Sequence, residues 1–410
     1  MTDTNEIIVV GCGIGGASAA LALGRAGFTV RLLERAPVIA EVGAGLQVGP
    51  NAMRILRDLG VNDYLTQAAV LPDRAVMRDI RTGDEVVSFD FGAGFREAYE
   101  MPYAVMHRGD LLNGLMKAAE ATGRVTIVPG KEIVDITENG DTVTVSASDG
   151  TGYTTKALIG ADGIRSRVRK HVIGDATPVA SKYVIYRGTI PRTDDIENAV
   201  TLQAGANHHV MHYPIRGGSE VNVVVSFKSE RDVVGGDGWG TVEELREAFA
   251  DVNPQVARLL EQIDTTNRWV QFDRAPEAGW TKGRIVLMGD AAHPTHQYLA
   301  QGAGQAMEDA VELARVLTEF GDDVAGAFVE FEKRRFDRTS AVQRGSRFWG
   351  ELSHVGGAEA DQRDALLGTI EPEDRRFIDW IYTTRDDVPL PVIPPHRDSY
   401  EPLESERVLS

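Results

Sequence analysis

The chain has 410 residues, 42% of them hydrophobic and 25% charged, the proportions of a globular protein with room for two or three domains. Its 61 acidic residues against 43 basic ones give a net charge of −18, which argues against nucleic acid or an anionic membrane as partner, since both need basic surface to displace counterions. A single cysteine, Cys12, rules out an internal disulfide framework, a cysteine-rich metal site and a dithiol redox pair, and points to a reducing, cytoplasmic compartment.

In chain order, the first feature is an uncharged stretch of 18 residues from Ile7 to Gly24, long enough to raise the question of a membrane span. The preceding Met1–Glu6 segment is acidic where a signal peptide is basic, and glycines crowd between Gly11 and Gly16, so a buried strand, a turn and a buried helix start are expected instead. Ile7–Val10 is the apolar run of a parallel strand covered on both faces. It leads into Gly11-Cys12-Gly13-Ile14-Gly15-Gly16, which fits G-x-G-x-x-G. Small residues follow up to Gly27, and a second strand, Phe28–Leu33, ends in Glu34. Gly11 permits the tight turn, Gly13 admits a pyrophosphate close to the backbone, and Gly16 lets helix and strand pack. The helix start offers unpaired N–H groups to phosphates. Glu34, 23 residues after Gly11, can accept from ribose hydroxyls. Strand, turn, helix and acid in this order point to dinucleotide binding, with Cys12 as a small buried filler.

Further along, Pro50–Gly60 reads as a short helix with proline at its start and glycine at its end, and Asp110–Thr122 as a longer one. Lys131–Ser148 carries a hairpin signal at Asn139-Gly140, and Ala157–Gly160 is a short buried strand. From Ser181 to Phe272 the texture changes to longer alternating strands, among them Tyr183–Ile190, Val210–Ile215 and Val221–Phe227, followed by one helix over Val242–Ile263. Arg284–Met288 is again a buried strand and Gly304–Phe348 is mostly helical. The prolines at 389, 391, 394, 395 and 402 mark an extended tail. The expected class is α/β: a Rossmann-like domain with an inserted antiparallel β-sheet domain and a helical C-terminal region. No second G-x-G-x-x-G follows a strand, so one dinucleotide is held tightly.

Asp290 ends the strand Ile285–Met288 through Gly289, and the loop after it, Ala291 to Gly304, is rich in glycine and alanine before a helix begins. A strand-end carboxylate can accept from a flexible polyol, and a glycine-rich helix start favours a group that becomes negative, as a reduced flavin does. With Ala161-Asp162-Gly163-Ile164-Arg165-Ser166 and with Arg108 in His107-Arg108-Gly109-Asp110-Leu111, this set resembles the single-component FAD-dependent aromatic hydroxylases, the group of para-hydroxybenzoate and salicylate hydroxylases. The resemblance covers residues 5 to 350. Gln297-Tyr298-Leu299-Ala300-Gln301-Gly302 and Gly43–Pro50 are most similar to the 3-hydroxybenzoate 6-hydroxylases, whereas Gly304-Gln305 is nearer the salicylate branch.

The resemblance implies that Gly11, Gly13, Ile14, Gly15, Gly16, Glu34, Arg35, Arg108 and Asp290 hold FAD, with Gly302 and Ala303 at the second helix start. Leu46 and Gln47 would line the isoalloxazine, Pro294 would shape the peptide against it, and Asp162 would serve pyrophosphate and reductant access. It implies an FAD-binding domain made of residues 1–180 and 274–330, a substrate sheet at 181–273, a helical region at 331–385 and a tail at 386–410. The partners it implies are NADH or NADPH as transient reductant, O2, and a small aromatic acid hydroxylated through a flavin hydroperoxide, with a homodimer as a possible assembly. A 3-hydroxybenzoate substrate would give 2,5-dihydroxybenzoate; salicylate and 6-hydroxynicotinate are the alternatives.

Hydroxylating a phenol needs a base near its hydroxyl, and histidine is the natural candidate. His208, His209 and His212 crowd one strand. His208 and His212 would share a face but lie about 13 Å apart at roughly 3.3 Å per residue, too far for one metal ion. The same alternation puts His209, Met211 and Tyr213 on the opposite face. Family members carry a histidine and a tyrosine at matching positions, so His209 is read as base or proton relay and Tyr213 as a pocket wall; a hydrogen-bonded sheet histidine is the plain alternative. By resemblance Gln297 would hold the phenolic oxygen and Tyr103 would contact the ring or carboxylate. His293 can simply fix its loop, and Arg187 fits a structural ion pair as well as a substrate contact. Two other readings stay open at this point: a flavoprotein oxidase or reductase without oxygen transfer, and a non-catalytic flavin sensor.

Overall fold

The computed structural model describes residues 6–39, 45–65, 68–174, 178–231, 234–236, 238–383 and 388–393. Gly43, Ala44, the acidic N-terminal residues up to Asn5 and the prolines from Pro394 onward lie outside the described residues.

The apolar run Ile7–Val10 is fully buried, because it runs at the centre of a six-stranded sheet. Parallel partners flank it on both sides: Ala157–Gly160 and then Ile285–Leu287 on one, Val30–Leu33 and then Val125–Val128 on the other. Such strands must be apolar on both faces, and helices supply the cover. The helix Ile14–Arg25 packs between Arg108–Ala121 and Gly302–Phe320. Its alanines and glycines let these helices approach closely. The hairpin strands Ile133–Asn139 and Thr142–Ala147 form, with Gly152–Thr155, a separate three-stranded sheet.

The second layer is a seven-stranded sheet in the order Trp269–Asp273, Val179–Pro191, Glu220–Lys228, His208–Ile215, Ala199–Gly205, Arg74–Asp79, Glu85–Asp90. It is larger than the alternating stretch of sequence, since two of its strands come from residues 74–90. One pairing, Ala199–Gly205 with Arg74–Asp79, is parallel. The residues of Glu220–Lys228 alternate between the two faces. Val221, Val223, Val225 and Phe227 pack on the helices Val242–Ala248 and Pro254–Gln262, while Val224 faces a cavity on the other side. Those two helices correct the expectation of one helix over 242–263. Pro254 cannot continue the preceding helix, and Asn253 caps the new one through Gln255 and Val256 N–H.

Gly45–Val48 pairs with Ala104–His107 and carries the chain between the two large sheets. The helix Val324–Ser353 spans 30 residues and crosses beside the loop that precedes Gly302–Phe320. Gly350 sits where a Cβ would come within 2.4 Å of the Tyr298 ring, so the helix accepts that ring only with glycine there. No described helix is long and apolar enough to cross a membrane.

Candidate functional site

A cavity of about 400 Å³ opens between the two large sheets, and a second, of about 350 Å³, adjoins it. Gly13, Ala161 and Gly163 line both, so together they form one trough from Glu34 to the seven-stranded sheet.

Backbone builds the first end of the trough. Gly11 has φ +100° and lies so close to Ala161 that a Cβ would be 2.4 Å from its carbonyl oxygen. At Gly16 a Cβ would be 1.8 Å from the Gly11 oxygen, whereas at Gly13 it would meet nothing within 4 Å. The turn is therefore closed where helix meets strand and open where a phosphate would come. The Glu34 carboxylate accepts from Cys12 N (2.7 Å) and Ala36 N (2.9 Å), which fixes it at the turn and leaves it lining the cavity beside Arg35. Asp162 also lines this end, with most of its acceptors engaged: Ser166 Oγ donates to it, as do Arg167 N (2.7 Å) and Val168 N (3.2 Å). Burial pushes its carboxyl up, against those bonds. Cys12 is buried, its sulfur 3.6 Å from that of Met116.

Side chains build the middle. Ile14, Gly15, Leu46, Gln47, Arg108, Asp290, Gly302 and Ala303 all line the larger cavity. Asp290 is surrounded by protein, yet its carboxylate is open to the cavity; burial raises its pKa while Arg108 and His293 oppose the rise. Its turn is clamped from both sides. Arg169, 1% exposed, donates to Ala291 O (3.0 Å) and Ala292 O (3.1 Å) and pairs with Glu277. On the other side Asp309, wholly buried, accepts from Gly289 N (2.9 Å), His293 Nε2 (2.6 Å) and Arg335 Nε (2.7 Å). Burial works against its charge, but His293 and Arg335 prevail and hold the carboxyl below its ordinary value. Glu308 completes the network through Arg335, Arg338 and Asn51, and Asn51 also reaches Gln301 at the start of Gly302–Phe320. Neither Arg169 nor this network was signalled by the sequence. Pro294 does not line the trough among the described residues; it is buried, its carbonyl taken by Gln343 Nε2 at 3.0 Å.

The far end is aromatic and histidine-lined. His209, Met211 and Tyr213 face the cavity with Ile185, Arg187, Leu202, Gln271, His296, Tyr298, Trp349 and Ser353. Arg187 lies 4.8 Å over the Trp269 ring. Tyr213 is buried, which raises its hydroxyl pKa against the pull of Arg187, and it bonds Gln47. Tyr103 differs from its expected place: its hydroxyl donates to Gln47 Oε1 at 2.7 Å, behind the cavity wall, with its ring stacked on Phe91. Gln297 is exposed at the lip. His212 is buried on the opposite face and His208 borders a separate pocket. No group of three or more His, Cys, Asp or Glu among the described residues is placed to hold a metal.

His209 is 2% exposed, and burial, helped by His208, drops its pKa to about 3, so it is a neutral imidazole. Its Nδ1 lies 2.7 Å from Nε2 of His354, which follows the helix Val324–Ser353. Sequence reasoning missed His354, 145 residues away from its partner.

These residues fit FAD on observations of this structure. The open space at Gly13 suits a pyrophosphate, the fixed Glu34 a ribose, the open carboxylate of Asp290 a polyol chain, and the helix start at Gly302 the flavin edge. The family described as an FAD binding domain matches residues 4–330. A 3-hydroxybenzoate 6-hydroxylase of Klebsiella oxytoca is 40% identical over 94% of this chain and 98% of its own length. A 6-hydroxynicotinate 3-monooxygenase of Bordetella bronchiseptica is 36% identical over 84% of this chain and 91% of its own. Among solved structures, HpxO of Klebsiella pneumoniae, complexed with FAD and uric acid, superposes with a TM-score of 0.81 at 27% identity, over 91% of this chain and 95% of that one.

Proposed function

The chain belongs to the family that shares this FAD binding domain, and on that premise we propose that it is an NAD(P)H- and O2-dependent monooxygenase that hydroxylates a phenolic carboxylic acid, with 3-hydroxybenzoate converted to 2,5-dihydroxybenzoate as its best-fitting reaction. FAD is its cofactor; reduced by NAD(P)H, it supplies activated oxygen. The observation that carries the reading is the single trough joining a flavin-fitting end to an aromatic chamber with a buried, neutral histidine.

In this reading Tyr213 and Tyr298 wall the ring, Arg187 offers its charge to the carboxylate, and Gln297 bonds at the lip. His209 accepts the proton of the substrate hydroxyl. Losing that proton raises electron density para to the oxygen, which in 3-hydroxybenzoate is carbon 6, the position hydroxylated. The buried walls at His209 and Tyr213 limit water beside the reacting centre. The same reading makes the enzyme cytoplasmic, and a homodimer in solution, which light scattering checks.

Purified protein should carry FAD, and 3-hydroxybenzoate should stimulate NADH or NADPH oxidation and yield 2,5-dihydroxybenzoate. Salicylate and 6-hydroxynicotinate, assayed separately, decide between ring acids. Failure of all three to stimulate oxidation would overturn the proposal. His209→Ala should lower product formation by about 100-fold, the scale of a lost general base, while flavin reduction changes little. Unchanged product per NAD(P)H consumed would remove His209 from this role.

A further inference from the structure

A neutral imidazole that accepts a proton from the substrate must keep a bare nitrogen towards it, and only one of its two tautomers does so. The nitrogen on the far side of the ring decides which. At 2.7 Å from His354 Nε2, His209 Nδ1 cannot face another lone pair or another N–H, so one ring donates and the other accepts. The backbone sets the direction. The Gly350 carbonyl, one helical turn earlier, faces the His354 ring and favours a proton on it, since a carbonyl only accepts. The His354 proton therefore belongs on the nitrogen facing Gly350, its Nε2 is bare, and His209 Nδ1–H must be the donor.

His354 is held to this task. Its ring stacks on Tyr183, 4.4 Å between centroids at 21°, and stands edge-on to Tyr298. Its N–H donates to Glu351 O and its carbonyl accepts from Asn207 N at 2.9 Å, which ties the end of the helix to the turn just before His208–Ile215. Among the described residues no other group bonds the His209 ring, so Nε2 is the nitrogen left for the cavity that His209 lines.

We infer that His354 is a positioning residue that locks His209 in the Nδ1–H tautomer, leaving Nε2 bare to take the proton of the substrate hydroxyl. When the proton moves, the substrate O–H bond breaks, an N–H bond forms at His209 Nε2, and the new positive charge is shared through Nδ1–H with the His354 lone pair. A neutral imidazole here does what a carboxylate does for the histidine of a hydrolase triad, which it holds in one tautomer. The use of this lock rests on the function proposed above; the lock itself does not.

The test is nitrogen NMR of the FAD-loaded protein with 15N-labelled histidine, the His209 signals assigned by their loss in His209→Asn. Expected are a protonated Nδ1 and a bare Nε2 at neutral pH. In His354→Phe, which keeps a ring on Tyr183, the Nε2–H form should appear and product per NAD(P)H consumed should fall about tenfold, with flavin reduction within twofold of wild type. His354→Gln, whose amide oxygen can accept from Nδ1–H, should recover the yield to within about threefold. A protonated Nε2 in the wild type overturns the inference even if His354→Phe fails to fold, and so does a His354→Phe protein with wild-type tautomer and yield. If no phenolic acid is turned over, the proposed function falls while the tautomer measurement still stands.

Discussion

The two turns that face the cofactor trough are built in opposite ways. Gly11–Gly16 owes its shape to missing side chains: contacts of 1.8 and 2.4 Å would follow if Gly16 or Gly11 gained a Cβ, and Glu34, close in sequence, braces it. The Asp290 turn owes its shape to side chains brought from far away, Arg169 on one side and Asp309 with Arg335 on the other. Steric economy holds the first, and buried charge that must be matched holds the second. The aromatic chamber follows the second pattern, since His209 takes its partner from the other end of a long helix.

This contrast can be broken by experiment. Arg335→Met removes the cation that pairs with both buried carboxylates, Asp309 and Glu308, and should cost about 3–5 kcal/mol, read as a fall in Tm and in urea midpoint. Wild-type stability in that variant would show that the charge network is ornamental to the second turn. Acid should come next. His209, His212 and His354 are held near pKa 3, 4 and 2 by burial. An unfolded histidine titrates near 6.5, so above that pH both states are neutral and stability is full. As pH falls below it, the unfolded chain takes up protons that the folded one refuses, and each ring costs about 1.4 kcal/mol per pH unit. Tm should therefore decline from about pH 6.5 downward, and His212→Leu, which removes an imidazole with no hydrogen-bond partner among the described residues, should flatten the slope by about a third. A Tm constant down to pH 5 would contradict neutral burial. The smallest effects separate two glycines of one motif. Gly16→Ala should cost about 1–3 kcal/mol by overpacking and weaken FAD retention, whereas Gly13→Ala should leave stability within about 0.5 kcal/mol and weaken only FAD binding. Equal melting of the two variants would erase the difference between the closed and open parts of the turn.

The glycine turn was legible because its glycines and its acid all lie between Ile7 and Glu34, and the spacing of glycines states the backbone geometry directly. His209, Met211 and Tyr213 were placed on one face by the period of two that any strand obeys, and they do share a cavity wall. The break at Pro254 was legible in principle, because Asn253-Pro254 is a helix-start signal, but the helical periodicity on either side masked it. The strands Arg74–Asp79 and Glu85–Asp90 gave too short and mixed a pattern to be tied to a sheet whose other strands lie a hundred residues on.

Sequence alone determined the strand-turn-helix that meets the cofactor and the alternation of the chamber wall, since both follow from backbone rules acting over a few residues. Tertiary structure alone decided that Tyr103 stands behind Gln47, that Arg169, Asp309 and Arg335 clamp the Asp290 turn, and that His354 meets His209. A buried polar group must find its partner wherever the fold brings one, and that distance in space leaves no trace in the spacing of residues along the chain.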